Sequence, residues 1–131
     1  MNAKKVTEFE AFLDRCNEAA AGVKYYKLTD DHQVEPCSNM EWARMFQDPA
    51  GRTVAKTEID GALVSTVFLG LDHRWIGEGP PIVFESMIFP HGTPGVETDC
   101  WRYETWNEAL AGHEEMVRET RNKVVQFRRK K

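Results

Sequence analysis

The chain has 131 residues, 41% apolar and 29% charged, with a formal net charge of -4. That is one domain's worth, too apolar for a disordered segment and large enough to bury about two thirds of its unfolded surface without staples, so a single compact domain over 1–131 is expected. The acidic balance disfavours a general nucleic-acid binder, although Arg128-Arg129-Lys130-Lys131 forms a short basic C-terminal tail over 128–131. Cys16, Cys37 and Cys100 are odd in number and lack Cys-x-x-Cys spacing, which argues against a disulfide framework or a zinc knuckle and fits a reducing cytosol. The residues after Met1 lead into an amphipathic stretch rather than an apolar signal core, and no run approaches membrane-spanning length. A cytoplasmic protein is expected, with no membrane partner and no direct nucleic-acid partner.

Thr7 and Glu10 have capping-box spacing, and Phe9, Phe12, Leu13, Cys16, Ala19, Ala20 and Val23 recur at helical intervals. They predict a helix over roughly residues 8 to 21. Tyr25-Tyr26-Lys27-Leu28 reads as a short strand ended by Thr29-Asp30-Asp31-His32. Ser38 with Glu41 repeats the capping-box spacing, and Trp42, Met45 and Phe46 line one side of a brief helix stopped by Asp48-Pro49. Arg52 to Ile59 alternates loosely as a strand, and Asp60-Gly61 signals a type I′ turn into the next one. Leu63 to Leu71 and Ile82 to Phe89 are dense in β-branched and aromatic residues and are bounded by Asp72-His73 and Gly79-Pro80-Pro81, so they read as a hairpin with a polar loop. After the irregular stretch Pro90 to Gly95, Trp101 to Glu104 adds a further strand. Thr105 with Glu108 then opens a helix whose apolar side carries Trp106, Ala109, Leu110, Met116 and Val117. The expected fold class is α+β: an antiparallel sheet of about four to five strands with an N-terminal and a C-terminal helix packed on one face.

Val64 to His73, Gly79-Pro80-Pro81, Phe84 to Phe89, and Arg102-Tyr103-Glu104-Thr105-Trp106 through Gly112-His113 together resemble a family of small uncharacterised proteins encoded by bacteriophages and prophages. Tyr25-Tyr26 and Glu41-Trp42-Ala43 fit the same pattern, which therefore covers most of residues 25 to 117. The resemblance implies a phage accessory protein in the host bacterial cytosol, a class in which small inhibitors of host defence or host metabolism are common. It implies no particular activity. Ser86 stands where Thr is more usual and keeps the hydroxyl.

The hairpin loop holds Asp72, His73, Arg74, Trp75 and Glu78, all side chains able to bind something. Period-two alternation puts Glu85 on the face of Val83, Met87 and Phe89, where an inward carboxylate requires a partner, and Arg102 on the next strand is the obvious one. The other reading of Glu85 is an acid whose pKa burial raises. His113, between Leu110 and Met116, reads as a core histidine bonded to a backbone or carboxylate group. His73, His91 and His113 with Asp72 and Glu85 are suitable metal ligands by type, but they show no ligand spacing, so no metal or other cofactor is implied. Ser65 and Ser86 sit inside strands without a nucleophile elbow, and the glycines form no phosphate-binding spacing.

The leading expectation is a binding protein that inhibits a host defence protein or sequesters a small ligand, using Asp72, His73, Arg74, Trp75, Glu85 and Arg102. The competing one is a small hydrolase or metal-dependent enzyme built from Asp72, His73, Glu85 and His113. A strand edge carrying Tyr25, Tyr26, Trp101 and Tyr103 adds the expectation of a homodimer.

Overall fold

A computed structural model describes residues 4–5, 24–74 and 77–130. The helix expected over residues 8 to 21, Cys16 and Trp75 lie outside these residues. The elements in chain order are β1 (Lys4–Lys5), β2 (Tyr25–Leu28), β3 (Val34–Cys37), α1 (Asn39–Phe46), α2 (Pro49–Arg52), β4 (Thr53–Ile59), β5 (Ala62–Phe68), β6 (Phe84–Phe89), β7 (Asp99–Tyr103) and α3 (Trp106–Arg129). They form an antiparallel sheet in the order β1-β7-β6-β5-β4 and a separate two-stranded sheet, β2-β3. This is the expected α+β architecture, with a C-terminal helix on the main sheet.

Alternation along β5 sets the layers. Ala62, Val64, Thr66 and Phe68 are buried, while Leu63, Ser65 and Val67 point to the other face and are half-buried. The buried face meets α3, which packs across β4, β5, β6 and β7. Val64, Ile88, Met116, Val117 and Val124 fill one end of this interface, and Phe68, Val83, Phe84, Tyr103 and Ala109 fill the other. Asp60 and Gly61 both adopt left-handed backbone (φ 50° and 97°), as a two-residue type I′ turn requires, and β4 pairs with β5 from Ile59↔Ala62 onward.

Side-chain N-caps locate two helices. Ser38 Oγ accepts from the Glu41 amide at 3.2 Å while Glu41 Oε1 accepts from the Ser38 amide at 3.3 Å, which starts α1. Pro49, which ends α1 in the sequence reading, instead also begins the single helical turn α2, so Arg52 is helical and the strand starts at Thr53. Thr105 caps α3 by accepting from the Glu108 amide at 3.1 Å. This helix runs for 24 residues, so Arg128 and Arg129 of the basic segment form its last turn, and Arg128 reaches back to Asp60 at 2.6 Å. Among the described residues, no helix is long and apolar enough to cross a membrane.

Three expectations change. Strand β3 was not among the expected elements; it contains Pro36, which lacks a backbone donor, and it pairs with β2 alone, a setting in which proline is tolerated. Strands β5 and β6 are shorter than Leu63–Leu71 and Ile82–Phe89, although Leu69 N still donates to Val83 O (2.7 Å) and His73 N to Ile82 O (2.9 Å), so the loop stays tied. The aromatic edge proposed for dimer pairing does not exist as such. Tyr25 and Tyr26 belong to the small sheet, Tyr103 is fully buried, and β1 lies alongside β7.

At Gly112 the helix backbone lies directly against the sheet residue Tyr103. A Cβ built there would lie 2.2 Å from the Tyr103 ring atoms. Glycine inside a helix normally costs about 1 kcal/mol relative to alanine. Gly112→Ala is therefore expected to reverse the usual sign, lowering stability by about 2 kcal/mol or more through overpacking against a ring that has nowhere to go. Chemical denaturation compared with Ala111→Gly, which should show only the ordinary glycine penalty, checks it.

Candidate functional site

The helix-facing side of the sheet carries a line of buried polar groups. Tyr103 OH donates to Ser86 Oγ at 3.0 Å, Ser86 Oγ and Thr66 Oγ1 are 2.5 Å apart, Thr66 Oγ1 lies 2.7 Å from His113 Nδ1, and His113 Nε2 lies 2.8 Å from Thr57 Oγ1. Tyr103, Ser86, Thr66 and His113 are almost wholly buried. His113 is thus the packed core histidine expected, but its partners are two threonine hydroxyls rather than a carboxylate or the backbone. Burial lowers its pKa, opposed only by Glu114, and burial pushes the Tyr103 phenol up to about 12. With a neutral imidazole, one proton arrangement serves the whole line: Tyr103 donates to Ser86, Ser86 to Thr66, Thr66 to Nδ1, and Nε2 to Thr57. A cationic imidazole would donate at both nitrogens, turn Thr66 round and leave the Ser86 proton without an acceptor in the line. The arrangement is a structural strut, satisfied within itself.

Glu85 and Arg102 lie on the opposite face. They are directly cross-strand in register, and Arg102 Nε donates to Glu85 Oε2 at 3.0 Å with both side chains largely buried. The pair read from alternation is present. Cys100, on the same face, has its thiol pKa pushed strongly up by burial and by the charge of Glu85, which leaves it inert.

The hairpin loop is organised by its own side chains. Asp72 Oδ1 accepts from the backbone amides of Arg74 (2.9 Å) and Ile82 (3.0 Å) and so closes the loop across its neck. Arg74 donates to Pro80 O (3.0 Å) and to Glu104 Oε2 (2.5 Å), joining the loop to the end of β7. Hence Asp72 serves the loop's shape, Glu85 and His113 occupy opposite faces of the sheet, and the four residues of the enzyme reading do not converge. Among the described residues no group of three or more His, Cys, Asp and Glu side chains could hold a metal ion.

A cleft of about 670 Å³ opens beside that loop, a size within the range of small-molecule sites. Its walls come from the β2-β3 hairpin (Tyr26, Asp31, His32, Gln33, Val34, Pro36), from Pro80 and Pro81, and from Glu104 to Asn107 at the start of α3. His32 lies flat on Trp106, with ring centroids 3.7 Å apart and planes 5° from parallel, and Trp106 meets Phe84 edge-on at 6.3 Å. Burial, with the charge of Asp72, raises the Tyr26 pKa and keeps the phenol neutral. Of the residues singled out in the sequence, Arg74 reaches the rim through Glu104, whereas Glu85 and Arg102 belong to the other face of the sheet. The sequence reading missed His32, Gln33, Trp106 and Asn107 as site residues. Trp106 was assigned to the apolar side of α3; its place immediately after the N-cap, where the helix leaves the sheet, was the available signal. Comparisons with protein-family models, with curated proteins and with solved structures gave no match.

The strut predicts a pH dependence. An unfolded histidine titrates near pH 6.5 and folded His113 lower, so its contribution to stability is complete above about pH 6.5 and is lost as pH falls toward the folded value. Urea denaturation from pH 7.5 to 5 should show a slope in wild type that shrinks in His113→Phe, measured against that variant so that carboxylate titrations cancel. The ion pair predicts coupling. Glu85→Gln is expected to cost about 2 kcal/mol by removing the opposite charge beside a largely buried guanidinium, and adding Arg102→Met should not double the loss. Strictly additive single and double variants in thermal melts would count against the pair.

Proposed function

We propose that this protein works by binding rather than by catalysis, as a phage or prophage accessory protein that sequesters a small ligand in the cleft between the β2-β3 hairpin and the start of α3. The observation that carries this reading is the composition of the cleft. Aromatic and proline surfaces supply apolar contact, while Asp31, Gln33, Glu104 and Asn107 supply a few polar groups to orient a ligand. The polar residues elsewhere are engaged in holding the fold: Asp72 in the loop, Glu85 with Arg102, and His113 between two threonines. The strand and helix segments that resemble the phage family support the accessory role, and inhibition of a host defence protein through the same rim is the related form of the proposal. No step of chemistry is assigned to these residues.

Asn107 is exposed on the cleft wall, so a large side chain there should obstruct the cleft with little effect on the core. Immobilised wild type and Asn107→Trp, exposed to bacterial lysate and eluted by denaturation, are to be compared by mass spectrometry for small molecules and for proteins. A compound held by wild type and lost from the variant is the expected result. Equal retention by both would remove the cleft from the function.

A further inference from the structure

We infer that the cleft takes a planar nitrogen heterocycle of the nucleobase kind, uncharged or cationic and without phosphate, stacked on Trp106 where the His32 ring now lies. The inference rests on the binding reading and gives the chemical class of its ligand. Its starting point is the geometry of the two rings. A separation of 3.7 Å at 5° is face-to-face packing of a nitrogen heterocycle on an indole, the arrangement by which proteins hold bases. The indole also packs against the core, meeting Phe84 edge-on, a contact in which His32 takes no part. His32 by contrast is exposed, and its ring is delivered by a short turn in which its backbone takes φ 62° and its amide donates to Thr29 O at 3.0 Å. Left-handed backbone in a residue other than glycine is uncommon and carries a modest cost. The chain therefore holds a ring of its own, by a local turn, on an aromatic platform that also packs against the core.

The polar groups around the platform define which ring would replace it. Gln33 and Asn107 each present a donor and an acceptor together, the combination that pairs with the edge of a base. Asp31 and Glu104 present carboxylates, which accept from ring N–H and exocyclic amino groups; with Glu104 paired to Arg74, it is Asp31 that repels phosphate. Arg74, the cation at the rim, is already bonded to Glu104 and to Pro80 O. A free base or nucleoside suits this lining, while a nucleotide or a nucleic-acid strand would bring its charge against Asp31 and a chain of net charge -4.

Titration of wild type, His32→Ala and Trp106→Phe with adenine, cytosine, adenosine, AMP and an oligodeoxyadenylate, followed by proton NMR and calorimetry, tests the inference. Adenine and adenosine are expected to bind saturably, with upfield shifts of the base protons. His32→Ala should tighten binding roughly three- to tenfold by removing the competing ring. Trp106→Phe, which keeps an aromatic contact with Phe84, should weaken binding by about fivefold or more. AMP should bind less tightly than adenosine, and the oligonucleotide should not bind. Absence of saturable base binding to both wild type and His32→Ala would overturn the inference, as would tighter binding of AMP or the oligonucleotide. If the bases fail while Asn107→Trp still abolishes retention of another compound from lysate, the heterocycle falls and the binding role stands. If that retention is unaffected too, both fall.

Discussion

The fold depends on the contact between the Tyr103 ring and the backbone of α3 at Gly112. A helix crossing a sheet normally stands off by the length of two interleaved side chains. Here a full aromatic ring on β7 reaches the helix backbone because position 112 has no side chain, and the phenol, fully buried, turns its hydroxyl along the sheet to Ser86. That placement fixes the depth at which the next helical residue, His113, enters the sheet. Its imidazole then falls between Thr66 on β5 and Thr57 on β4. Four strands and the helix are thereby registered by side-chain hydrogen bonds as well as by apolar packing, since the line runs from β7 through β6 and β5 to β4.

Such a line is demanding. Each hydroxyl has one proton to give, so a change at any member propagates to the others, and a buried donor or acceptor left over costs about 1–3 kcal/mol. The order of residue types along it follows from this. The Ser86 and Thr66 hydroxyls, which can rotate to donate either way, lie between the phenol and the imidazole, and the Thr57 hydroxyl closes the line beyond His113. The ion pair of Glu85 and Arg102 does comparable service on the other face, where two adjacent strands are clamped by charge. Both faces of the sheet thus contain polar groups whose partners lie within the fold.

Much of this was legible because local rules carried it. The Asp60-Gly61 turn follows from backbone sterics alone, the N-caps at Ser38 and Thr105 from the unsatisfied amides of a helix start, and the Glu85 to Arg102 pairing from period-two alternation. The rest depends on relations between distant segments. That His113 meets two threonines depends on strand order and on the depth of α3, neither of which shows in helical periodicity. Strand β3 contains Pro36, and propensity counts the missing donor but not that the opposite edge is unneeded. The cleft was least visible of all. Its walls come from residues 26–36, 80–81 and 104–107, segments that the sequence presents as an ordinary strand, a loop and a helix start.

The separation of these two systems constrains how the protein can act. Buried polar groups that satisfy one another have their protons and lone pairs committed, and recruiting one for a ligand would break the line that registers four strands with the helix. The cleft groups are bonded only locally and outside that line: Asp31 accepts from Thr29 Oγ1, and Glu104 from Arg74. Asp31, Gln33 and Asn107 are exposed side chains on a turn and a helix start, and Trp106 contributes to the core by its edge contact with Phe84 while its face stacks on the exposed imidazole of His32. A ligand can therefore exchange one ring for another on Trp106 without disturbing Tyr103, Ser86, Thr66 or His113. On the binding proposal, function sits at the start of α3 and stability at its middle, so the rim of the cleft can vary while the strut stays intact.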